Sequence, residues 1–190
     1  MVPALRSGRV SGWGRYLGYF PQDVELFAGT VAGNIARNPN PAAHDSESIV
    51  RAAQRARVHE LILGLPNGYE TQIGESGETL SGGQRQAIAL ARALYGDPRL
   101  VLLDEPNANL DAEGERALNA ALAQLKRDGV TVVVVTHRQA VLAIADRVML
   151  MRHGEIERFG SREEVEAWVN SRARRTKPEA GRVQQEVAAS

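Results

Sequence analysis

An α/β domain organised around a parallel sheet is what the spacing of apolar residues predicts. Leu100 to Leu103 is a continuous apolar run and Val130 to Val135 one interrupted only by Thr131, both too short for helices, the pattern of strands covered on both faces. Between them Leu118, Ala121, Leu122 and Leu125 recur at helical spacing within Asp111 to Arg127, which makes a strand, helix, strand crossover.

The other elements follow along the chain. Residues 1–15 carry Gly, Arg and Ser around Trp13 without periodicity and receive no assignment. Tyr16 to Phe20 is a short strand stopped by Pro21. From Asp45, Ile49, Ala52, Ala53 and Ala56 mark a helix with Asp45 or Ser46 as its cap. Breakers at Gly64, Pro66, Gly68, Gly74 and Gly77 leave only short helix and loop over Leu61 to Gly77. Ala87, Ile88, Leu90, Ala91 and Leu94 share one face of a helix beginning near Arg85 and ended by Gly96, Asp97 and Pro98. Arg147 to Met151 and Ile156 to Phe159 form a hairpin about His153-Gly154. Ser161 with Glu164 is a capping box opening a last helix through Trp168. The domains are expected as 16–99, 100–170 and a disordered polar tail over 171–190.

Composition narrows the function. The 23 basic and 23 acidic side chains balance, so no global field draws the chain to nucleic acid or anionic lipid. Absence of cysteine excludes disulfide scaffolds and thiolate metal sites. No apolar run reaches the roughly 20 residues that span a bilayer, and no secretory signal is visible, so the chain is expected inside the cell.

Chemistry concentrates in two places. Leu80-Ser81-Gly82-Gly83-Gln84 stands directly before a helix, where two glycines admit close backbone approach, Ser81 adds a hydroxyl donor and the helix start offers free amides. Such a sequence suits a phosphate clamp. Further on, the strand Leu100 to Leu103 runs into Asp104-Glu105-Pro106, at the edge where open parallel sheets bind ligands. Asp104 suits Mg²⁺, directly or through water, and Glu105 suits a base for an attacking water. Thr136-His137 ends the neighbouring strand at the same edge, where an imidazole reaches a γ-phosphate.

Gln22, Leu80 to Gln84, Leu100 to Glu105, Asn109-Leu110-Asp111 and His137 occur in the order of the Q-loop, signature, Walker B, D-loop and H-loop of ATP-binding-cassette (ABC) ATPases, which the chain resembles from about Tyr16 to Trp168. The resemblance implies a partial P-loop NTPase-like ABC ATPase domain: a parallel sheet core plus an α-helical signature subdomain. ATP and Mg²⁺ are the implied cofactors. Gln22 would sit near Mg²⁺ and the transport domain, Glu105 would be the catalytic base with His137 beside it, and Ser81, Gly82, Gly83, Gln84 and Asp111 would meet ATP across a dimer. Thr71 to Gly77 resembles the exporter loop that touches the membrane domain. Tyr19 to Phe27 and Asp104 to Glu115 resemble type I secretion ATPases of the alkaline-protease exporter kind. The implied partners are an ABC transmembrane domain, a second ATP-binding domain carrying a P-loop, and membrane-fusion and outer-membrane channel proteins, at the cytoplasmic face of the inner membrane. Nucleic acid is not among them. A DNA-repair ABC ATPase is disfavoured because no heptad run interrupts the chain.

A phosphate-binding P-loop of the form G-x-x-x-x-G-K-[ST] is absent from the 190 residues. The two lysines, Lys126 and Lys177, lie within the helix after the catalytic strand and in the tail. The chain is therefore expected to begin within a catalytic domain, to lack ATPase activity alone and to leave apolar sheet surface uncovered. A non-catalytic interaction module and a truncated remnant are the alternative readings.

Overall fold

A computed structural model describes Gly14, residues 16–38, Asn40 and residues 45–176. Two compact units divide after Arg138. The first holds a three-stranded parallel sheet in the order β1 (Leu17–Phe20), β2 (Leu100–Asp104), β3 (Thr131–Val135). Leu17 pairs with Leu100, and Leu100 with Thr131. Strands from both sides of the expected 99/100 division thus share one sheet.

Between β1 and β2 the chain is helical: α1 (Val31–Ala36), α2 (Ser46–Arg55), α3 (His59–Leu63) and α4 (Gly82–Leu94). Three of these starts, those of α1, α2 and α4, have a side-chain cap. Thr30 caps α1 by accepting from the Gly33 amide, and Asp45 caps α2 by accepting from that of Ser48. Ser81 and Gln84 form a reciprocal capping box at α4. This helix begins at Gly82, three residues before the expected start near Arg85, because the capping box outweighs the low helix propensity of two glycines. α5 (Ala112–Arg127) crosses from β2 to β3, capped by Asp111.

One sheet face forms the core. Gly18, Phe20, Val101 and Leu103 are buried, whereas Leu17, Tyr19, Leu100, Val133 and Val135 on the alternate positions are exposed. The expectation of strands covered on both faces is corrected here: no described element shields the second face of β2 and β3. Gly18 has a packing reason to be glycine. A Cβ there would lie 2.1 Å from the Ala93 carbonyl oxygen, so α4 lies directly on β1. Phe20, Ile35, Ile88, Leu94, Leu103 and Leu125 are almost fully buried, each removing roughly 1.5–3 kcal/mol of apolar exposure. Arg51 and Arg55 of α2 reach Asp97 in the turn after α4, at 3.3 and 2.8 Å.

The second unit holds α6 (Gln139–Leu142), the antiparallel pair β4 (Arg147–Arg152) and β5 (Glu155–Ser161), and α7 (Arg162–Thr176). His153 and Gly154, at φ 51° and 82°, make the expected tight turn. The expected Ser161/Glu164 capping box is present: the Ser161 amide donates to Glu164 at 2.9 Å and the Glu164 amide to Ser161 Oγ at 3.3 Å. α7 continues past the expected end at Trp168. Arg172 stacks on the Trp168 ring and pairs with Glu157, and the helix runs to Thr176, into the stretch expected as tail. The remainder of the expected tail, and residues 1–13 and 15, lie outside the described residues. No described helix is long and apolar enough to cross a membrane.

Candidate functional site

The carboxyl ends of β2 and β3 carry the expected carboxylates and imidazole side by side. Asp104 closes β2 opposite Val135. Glu105 then turns into the left-handed region at φ 46° while its amide donates to the Val135 carbonyl at 2.9 Å. A non-glycine residue in that region costs roughly 1–2 kcal/mol, which the surrounding ladder over-determines. The bend sets Glu105 Oε1 3.0 Å from His137 Nδ1. The Glu105 side chain is 21% exposed and that of His137 75%. Glu105 Oε2, although buried, has no partner. Buried carboxylate oxygens are rarely left in this state, so Oε2 is an acceptor with capacity to spare.

A second contact parallels the first. Thr136 Oγ1 donates to Asn107 Oδ1 at 3.2 Å and accepts from the Arg138 amide at 3.1 Å. Asn107 is 2% exposed. Sequence reading gave neither Thr136 nor Asn107 a role of its own, because nothing in their spacing shows that two residues of one loop pair with two successive residues of another.

The signature segment is built on the start of α4. Ser81 Oγ accepts from the Gln84 amide at 3.2 Å and Gln84 Oε1 accepts from the Ser81 amide at 2.8 Å. The Ser81 hydroxyl proton remains available as a donor, beside the first-turn amides of Gly82 and Gly83, which have no intrahelical acceptor. Gln84 is thus committed to the cap, an internal role that the sequence expectation did not separate from ligand contact. Gln86, 3% exposed, joins α4 to the segment before Asp111, since the Asn109 amide donates to its Oε1 at 3.3 Å. Asp111 Oδ1 accepts from the Gly114 amide at 2.8 Å. The signature and the Asn109–Asp111 loop are therefore neighbours.

Gln22 follows β1 and lines a groove of about 210 Å³ with Asp23, Gly82, Arg85, Gln86 and Asn109. Asp104, its expected companion at Mg²⁺, is not part of that wall. Downstream, the buried Asn34 clamps Phe27: the Phe27 amide donates to Asn34 Oδ1 and Asn34 Nδ2 to the Phe27 carbonyl, at 3.1 and 2.9 Å. Thr71 and Ile73 pair with Val31 and Gly29, which brings the Thr71 to Gly77 loop beside this segment.

The donor set fits one part of a MgATP site. Ser81, Gly82 and Gly83 offer hydrogens to phosphate oxygens, and Asp104 and Glu105 supply carboxylates for a hydrated hard cation and a water. No cluster of three or more His, Asp or Glu suited to a metal occurs among the described residues. The phosphate cradle does not fit the residues present: Lys126 lies in the last turn of α5 and no Gly-Lys pair exists in the sequence.

A family model described as ABC transporter matches residues 4–108. The chain is 59% identical over 152 residues to the type I secretion system ATP-binding protein PrsD of Rhizobium meliloti, covering 80% of this chain and 26% of that protein. It is 47% identical over 147 residues to an ATP-dependent lipid A-core flippase of Mannheimia succiniciproducens, covering 76% and 24%. A solved bacterial Atm1-family ABC exporter with ATP bound superposes with a TM-score of 0.73 at 28% identity, covering 87% of this chain and 29% of the other. The chain spans about a quarter of the length of these relatives.

Proposed function

Because this chain belongs to the ABC transporter family, we propose that it supplies the signature and hydrolytic part of an exporter's ATP-binding domain, and that the intact protein uses MgATP to drive type I protein secretion. The observation that carries the reading is the Glu105 carboxylate, one oxygen held by His137 at 3.0 Å and the other buried without a partner at the edge of a parallel sheet.

MgATP, when bound, supplies the phosphoryl group that water attacks. Glu105 Oε2 orients that water and takes its proton, while His137 keeps Oε1 engaged so that the free oxygen faces the reaction. Asp104 would hold Mg²⁺, which would supply charge neutralisation at the phosphates. Ser81, Gly82 and Gly83 would donate to a nucleotide shared with a second ATP-binding domain carrying a P-loop, and Asp111 would brace that contact. Gln22 and the Thr71 to Gly77 loop face a transmembrane domain at the cytoplasmic side of the inner membrane, with membrane-fusion and outer-membrane channel proteins completing the assembly. The name of the 59%-identical relative supports secretion as the cargo pathway, and the flippase relative supports only the coarser exporter role.

The test exchanges residues 16–171 into the corresponding segment of PrsD and of the lipid A-core flippase. ATPase activity is expected in both exchanges, with restored protein secretion in the PrsD background. Glu105→Gln should lower turnover by about 10²- to 10⁴-fold and leave nucleotide trapped. Full turnover in that variant removes Glu105 from the base role. Intact ATPase without secretion in the PrsD background removes the type I assignment.

A further inference from the structure

The hydrogen bond between His137 and Glu105 does not explain its own geometry. His137 is exposed, stands just beyond the end of β3, and its Nδ1 meets a carboxylate carried on a different loop. What holds the two loops in register is the parallel contact behind them. Thr136 Oγ1 has one proton and two lone pairs, and both functions are used: the proton goes to Asn107 Oδ1, and a lone pair receives the Arg138 amide. The second bond closes a tight turn around His137, from the residue before it to the residue after it. The first ties that turn to the loop carrying Glu105, two residues before Asn107. Asn107 is buried, so this tie sits in surroundings where water competes little for it.

We infer that Thr136 and Asn107 are positioning residues for the proposed hydrolysis, a strut that fixes the His137 ring against Glu105 Oε1 and so leaves Glu105 Oε2 as the free oxygen. The inference rests on the reading of Glu105 as the base, but the strut itself is a property of this chain without nucleotide. Its consequence is a fixed ring orientation: a carboxylate oxygen at 3.0 Å accepts, so Nδ1 is the donating nitrogen of His137 and Nε2 is turned away from Glu105. Removing the strut frees the ring, and the tautomers then mix.

Histidine-selective ¹⁵N spectra of the full chain, recorded at mildly alkaline pH where a free imidazole is neutral, test this directly. The His137 signals are identified by their loss in His137→Gln. The parent is expected to show the Nδ1–H pattern for His137. Thr136→Val, which removes the hydroxyl and keeps the shape, should lose that pattern in favour of averaged tautomers, and Asn107→Leu should do the same. Thr136→Ser should keep it. Far-UV circular dichroism of each variant separates this loss from unfolding, and Asn107→Leu carries the comparison if Thr136→Val fails to fold. A Thr136→Val protein with the parental His137 pattern overturns the strut, as does an averaged pattern in the parent. In the PrsD exchange, Thr136→Val should lower kcat more than it raises KM, again with recovery in Thr136→Ser. An altered tautomer with unchanged kcat would keep the strut and defeat the hydrolytic role of the pair, so the two claims fail separately.

Discussion

Gly18→Ala is the substitution for which the structure gives the firmest magnitude. A methyl group at Gly18 would stand 2.1 Å from the Ala93 carbonyl oxygen and 3.1 Å from both the Ala93 carbonyl carbon and Pro98 Cγ. The nearest obstacle is backbone, so no rotamer change relieves it, and α4 must withdraw from β1 by about 1 Å to restore an ordinary contact. That withdrawal opens the layer in which Phe20, Leu94 and Val101 are now buried to 1% or less. Overpacking of this kind costs typically about 1–3 kcal/mol, and with two rigid elements opposed the upper end applies. For a chain of this size about 3 kcal/mol lowers the melting temperature by roughly 6–12 °C. Thermal unfolding followed by far-UV circular dichroism measures it, with Gly64→Ala as control because its added Cβ meets nothing nearer than 3.4 Å. A Gly18→Ala protein melting within about 2 °C of the parent would refute the claim that α4 is seated on β1 through this glycine.

Four further outcomes are expected. Calorimetry of the isolated chain should show no tight MgATP binding, since the sequence contains no Gly-Lys phosphate cradle; saturable micromolar binding would contradict the division of the site between two domains. Asp111→Ala should cost about 1 kcal/mol by removing the cap at 2.8 Å on the Gly114 amide, read as a shift in the urea midpoint. Lysine at Val133 and Val135, 46% and 51% exposed on the open sheet face, should reduce concentration-dependent association in sedimentation velocity without altering secondary structure. Tyr69, whose hydroxyl lies 2.8 Å from His59 Nδ1, has its ionisation pushed up to about 12 by burial and by the nearby Glu60 charge. The phenolate absorbance lost in Tyr69→Phe should therefore appear near 12. Its contribution to stability should be complete below about 10, where the unfolded phenol begins to ionise, and fade as pH rises toward 12.

Local chemistry was the legible part of this sequence. Asp45, Ser81 and Ser161 begin their helices for reasons visible within four residues, and the turn at His153-Gly154 is equally local. The two apolar strands were also legible, but the cover on each face was not. An apolar run reports that side chains avoid water, whereas Leu100 and Val133 remain exposed because no described neighbour reaches them. α1 escaped notice because six residues show less than two helical turns, and its anchor, the buried Asn34, acts on a backbone seven positions away. At the site, Asp104, Glu105 and His137 were readable from strand ends alone. The Thr136–Asn107 contact was not, since it depends on the parallel register that sets two loops abreast.

The pairing of Leu17 with Leu100 has a kinetic consequence. The ladder between β1 and β2 joins residues about eighty positions apart, so its closure carries an entropic cost that no local hydrogen bond repays until α4 has brought the two ends together. During synthesis β1 leaves the ribosome long before its partner, and Tyr19 and Phe20 wait in an unpaired strand. An order in which helices α1 to α4 assemble before the sheet is laid on them, as a splint, is the one this topology favours. A side chain at Gly18, where β1 meets Ala93 of α4, would then hinder the laying of the sheet on those helices as well as loosen the finished protein.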